Sequence, residues 1–81
     1  MADNNKRIAN KIFKVLPMYE ESFDIYYKYL TRIIVELQGE EQTEPLRDAI
    51  VALKGLKAVG GDIEHDEVRR IIMRHTSKLS E

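Results

Sequence analysis

Seven apolar residues between Phe23 and Leu37 constrain this chain more than any other feature of it. Phe23, Tyr26, Tyr27, Leu30, Ile33, Ile34 and Leu37 follow one another at steps of three, one, three, three, one and three. Only a helix turns that spacing into one continuous face, because side chains three and four apart stack on the same side of it. Asp24, Lys28, Arg32 and Glu36 lie opposite at intervals of four, with signs that let neighbours pair. The spacing predicts a helix over 22–38, opened by Ser22 as cap and stopped by Gly39.

The same period recurs on both sides. Ile8, Ile12, Val15 and Leu16, widened by Ala9 and Phe13, predict a helix over 5–16. Pro17 is expected to end it, since proline has no N–H for the ladder and disfavours the helical conformation before it. Met18 to Glu21 then reads as a short link. Thr43, followed by Glu44 and Pro45, predicts the start of a third helix over 44–59. Leu46, Ala49, Ile50, Leu53 and Leu56 line its face, with Val51, Ala52, Ala58 and Val59 broadening it, and Gly60-Gly61 stops it. Val68, Ile71, Ile72, His75 and Leu79 predict the last helix, over 65–79. Its acids Asp66 and Glu67 come first and Arg74 and Lys78 last, as the helix dipole favours.

Four helices joined by short loops predict an all-α fold, an antiparallel bundle forming a single domain over 1–81. The alternative is a three-helix core with the N-terminal helix docked across it or swapped between subunits. Eighty-one residues build one thin core and leave no room for a deep substrate cavity. The chain is 43% apolar, enough to fold. It has no cysteine, which excludes disulfides, thiolate metal sites and cysteine nucleophiles. No apolar run approaches the ~20 residues that cross a bilayer, and none of signal-peptide length follows the N-terminus. The expected protein is soluble and cytoplasmic.

Catalytic chemistry finds no foothold in this sequence. Gly60-Gly61 lacks the lysine and hydroxyl of a phosphate loop, and no serine or threonine sits in a nucleophile-elbow context. Asp62, Glu64, His65, Asp66 and Glu67 form the one dense cluster of possible metal ligands. Consecutive helical residues point to different sides, so the cluster reads as a charged helix start. His75, on the apolar stripe of the last helix, reads as a boundary residue packed on its ring, with a proton-sensitive interface role as the alternative. The expectation is a non-enzyme with no metal, no cofactor and no small-molecule substrate.

Surfaces are more informative. All four tyrosines, Tyr19, Tyr26, Tyr27 and Tyr29, fall within eleven residues, and tyrosine is enriched at protein interfaces. Val35, Val51, Ala52, Met18 and Met73 fall outside the narrow stripes, which leaves more apolar surface than a thin bundle hides. The expected function is a protein–protein interaction module, self-associating as a homodimer or binding a protein partner. Its size and architecture are those of small accessory, immunity or regulatory proteins. Tyr19, Tyr26, Tyr29 and Met73 are the expected interface residues.

The alternative is a small DNA-binding regulator, with Arg69, Arg70, Arg74 and Lys78 forming a basic ridge on the last helix. Three features oppose it. Acids lead that helix, the connection before it is longer than a helix-turn-helix turn, and the net charge is −1.

Overall fold

The structure, a computed structural model, describes residues 2–80, with side chains from residue 4 onward. It contains five helical segments: α1 (Ala2–Phe13), α2 (Val15–Glu21), α3 (Phe23–Gln38), α4 (Glu44–Val59) and α5 (His65–Ser80). Since α1 and α2 are two halves of one broken rod, the architecture is a four-rod, all-α bundle. The rods form a closed ring. α1 lies along α5, α5 along α4, α4 along α3, and α3 along α2, while α1 makes no close backbone approach to α4, nor α3 to α5. The shortest extent of the molecule, 18 Å between Cα atoms, admits two helices side by side and hence one core layer.

Two of the rods, α3 and α4, start where a side chain relieves an orphan N–H group of the first turn. Ser22, in extended backbone, accepts a 3.1 Å hydrogen bond from the Ile25 N–H and so opens α3. Thr43 does the same for α4 by accepting from the Leu46 N–H at 3.4 Å, with Pro45 in the first turn. The expected i,i+4 pairs on α3 form, Asp24 to Lys28 at 3.1 Å and Arg32 to Glu36 at 3.9 Å.

Pro17 does not end the first helix. The break comes three residues earlier, at Lys14, and Pro17 lies in the first turn of α2, where its missing N–H leaves a gap that helix starts tolerate. Met18 to Glu21, expected as a link, is therefore helical, and the first helix begins at Ala2 rather than near residue 5. The break has a consequence for the fold, because it moves the rod from α5, along which α1 lies, to α3, along which α2 lies.

Gly39 follows the last residue of α3 as expected, but in right-handed backbone with φ −86°. Tight bonds from the Gly39 N–H to Glu36 O and from the Glu40 N–H to Leu37 O close the helix. The Gln42 side-chain amide adds a donor to Leu37 O at 3.0 Å. The left-handed stop is at Gly60, where φ is +62°. Phe23 covers that turn with its ring.

Ile8, Ala9, Ile12 and Val15 of the first rod are buried together with Leu30, Ile33, Leu37, Leu53, Leu56 and Ile72. The first rod is thus an integral wall of the core, not an element docked on a three-helix unit. Phe13, Phe23, Tyr27 and Val59, all assigned to apolar faces by their spacing, are exposed. A ring of four rods with one core layer covers a narrower arc of each helix than those stripes span. No helix among the described residues is long and apolar enough to cross a membrane.

Candidate protein interface

The expected interface residues do not share a surface. Tyr26 is fully buried, its ring edge-on to Tyr19 at 4.7 Å, and so is removed from any docking surface. Tyr19 is half-buried between Tyr26 and His65, whose ring lies 5.1 Å away. Tyr29 is also half-buried, and its hydroxyl donates to the Lys11 carbonyl at 2.6 Å, holding α3 to α1. Met73 alone is open, in a groove between α1 and α5 lined by Phe13 and the uncharged Asn10, Ser77 and Ser80.

Among the described residues, two buried side-chain polar atoms lack hydrogen-bond partners, the Tyr26 hydroxyl and His75 Nδ1. Burial, reinforced by Tyr19, pushes the Tyr26 phenol up to about 12. Burial likewise lowers the His75 imidazole from its ordinary value, with Lys78 and Arg74 adding to the effect and Asp48 on α4 opposing it.

The basic ridge is partly neutralised within the fold. Arg69 lies 3.8 Å from Glu20 and Arg70 3.3 Å from Glu67, while Arg74 and Lys78 form no ion pair among the described residues. Two of the bases of α1 are tied down in the same way, Arg7 to Glu40 at 2.9 Å and Lys11 to Glu36 at 3.3 Å. Among the described residues, no three of His, Cys, Asp and Glu converge as metal ligands.

The most exposed large apolar side chains are Val35 on α3 and Val51 on α4, at 66% and 68% of full exposure. Lys57 of α4 sits over the Tyr27 ring of α3, 5.6 Å from its centroid, so the end of α4 lies beside the start of α3. Between the rods runs a groove lined by Tyr27, Ile34, Gln38, Lys54, Lys57 and Ala58.

On α4 the exposed residues Val51, Gly55, Ala58 and Val59 recur at i, i+4, i+7 and i+8, so they form one outward stripe. A Cβ added at Gly55 would meet nothing within 4 Å. A glycine inside a helix costs about 1 kcal/mol relative to alanine, and no neighbour in the fold requires one here. Glycine-in-helix was the available sequence signal for this stripe, but the apolar spacing alone does not draw attention to it.

The α3–α4 face is opposite the Phe13–Met73 groove in the ring of rods. No family model, curated protein or solved structure matches the chain.

Proposed function

We propose that this protein is a non-catalytic helical interaction module that works through the outward face of α3 and α4, associating there with a helix of another chain. The observation that carries this reading is the exposure of Val35 and Val51, the most exposed large apolar side chains, on adjacent rods. Single exposed apolar side chains are ordinary on a small protein, but two such valines beside a groove and a glycine stripe make a contiguous patch. On the α3 side Thr31 and Gln38 continue it without charge, while Arg47 and Asp48 flank Val51 on α4. Flanking Lys54 and Lys57 supply the polar rim that specific interfaces have.

The test compares capture by the tagged wild-type protein with capture by a Val35→Glu/Val51→Glu variant. A Phe13→Ser/Met73→Ser variant on the opposite face serves as control. The reading predicts that association, with itself or with another protein, disappears in the first variant and persists in the control. Equal capture by all three would contradict it.

A further inference from the structure

We infer that the seam between α4 and the C-terminal half of α5 is an acid-operated latch, closed while the His75 imidazole is neutral and loosened when the ring takes up a proton. The inference starts from the two ring nitrogens. His75 is half-buried, and its Nδ1 lies inside the fold with no hydrogen-bond partner. A neutral imidazole carries one proton, and the tautomer with that proton on the outer Nε2 leaves only an idle lone pair at Nδ1. An imidazolium has no such choice, because both of its nitrogens donate. Protonation therefore puts a charged N–H where the fold offers no acceptor, and burying such a group unpaired is costly.

The charges around the ring act in the same sense as its burial. Lys78 and Arg74, on the same helix, disfavour a further positive charge, and Asp48 on α4 favours it. No ion pair joins Asp48 to His75 among the described residues, so Asp48 does not supply the missing acceptor. α1, the other neighbour of this half of α5, brings Ala9, Asn10 and Phe13 to the groove between them, and none of the three is charged. Glu20 of α2 reaches only the start of α5, where it lies 3.9 Å from His65 and 3.8 Å from Arg69.

The loosening is local for the same reason. Ile72, Thr76 and Leu79 are the residues that this half of α5 buries, and they flank His75. The first turn of the helix is held separately, by buried Val68 and by the approach of Glu20. Acid thus adds to the general loss of stability an opening confined to residues 72–80, which uncovers Ile72 and Leu79 before the other rods part.

Amide hydrogen exchange resolved by residue tests the latch at about pH 7.5 and about pH 5, on either side of the ordinary histidine value, with rates corrected for intrinsic exchange. In the wild-type protein, protection of residues 72–80 should fall at the lower pH by about threefold or more relative to that of α3. His75→Gln, which keeps a polar tip in a helix, should show no such difference between the two segments. Asp48→Asn, an exposed substitution that leaves the core untouched, removes the one charge favouring the imidazolium and should deepen the wild-type loss. The same relative loss in wild type and in both variants overturns the latch, as does a loss spread evenly over all the rods. Greater protection of residues 72–80 at the lower pH also overturns it, because the proton would then fasten the seam.

Discussion

The hydroxyl of Tyr29 donates a 2.6 Å hydrogen bond to the main-chain carbonyl of Lys11, eighteen residues away and on another rod. Lys11 lies in the last turn of α1, where a helix leaves carbonyls without intrahelical partners. Tyr29 thus ties the broken first rod to α3, beside the Lys11–Glu36 ion pair. Replacing it with phenylalanine keeps the ring and strands the carbonyl. We expect Tyr29→Phe to destabilise the protein by about 1 kcal/mol. Urea denaturation followed by circular dichroism measures this, and association at the α3–α4 face should be unchanged.

Tyr26 gives the opposite sign. Its ring fills the core, but its hydroxyl is buried without a partner, a condition that costs about 1–3 kcal/mol. Tyr26→Phe should therefore raise stability by about 1 kcal/mol. Because the folded-state phenol titrates at about 12 and an unfolded one near 10, wild-type stability is fully present below pH 10. It is lost as pH rises from 10 through 12. Subtracting the alkaline denaturation curve of Tyr26→Phe from that of wild type should isolate this loss, and two parallel curves would contradict it.

His75 supplies an acid-side counterpart. The folded protein holds its imidazole below the ordinary value through burial, aided by Lys78 and Arg74 and opposed by Asp48. The neutral form is favoured by folding, so its stability contribution is complete above about pH 6.5. That contribution falls as pH drops through the lower folded-state value. His75→Gln should flatten the decline in melting temperature just below pH 6.5 relative to wild type. An unchanged slope would show that protonation of His75 is not resisted by the fold.

Gly55 and Gly60 should respond differently to alanine. Gly60 has φ +62°, so Gly60→Ala forces a side chain into strained backbone and should cost about 1–3 kcal/mol. Gly55 is in regular helix facing open space, so Gly55→Ala should stabilise the monomer by about 1 kcal/mol. Denaturant midpoints measured at low protein concentration, where association contributes least, test both.

Periodicity made α3, α4 and α5 legible in the sequence to within a residue or so at their ends, because long apolar stripes with polar caps leave few alternatives. It misplaced the break in the first rod. Pro17 is compatible both with ending one helix and with opening the next, and only the contacts of α1 with α5 and of α2 with α3 decide between them. Tyr26 and Tyr29 show a second limit. Residue type marks them as interface material, yet depth within a ring of four rods depends on which arc of α3 faces inward. That arc is set by neighbours no local pattern encodes. Val35 and Val51 were visible as residues outside the stripes, whereas their place on adjacent rods needs the packing of α3 against α4.

Sedimentation equilibrium of the wild-type protein beside Val35→Glu/Val51→Glu tests the central claim most directly. The predicted result is a wild-type mass of twice the 9.5 kDa chain at high concentration and a single-chain mass for the variant, with the same helical circular dichroism for both. Identical masses for the two folded proteins at every concentration would contradict self-association through the α3–α4 face.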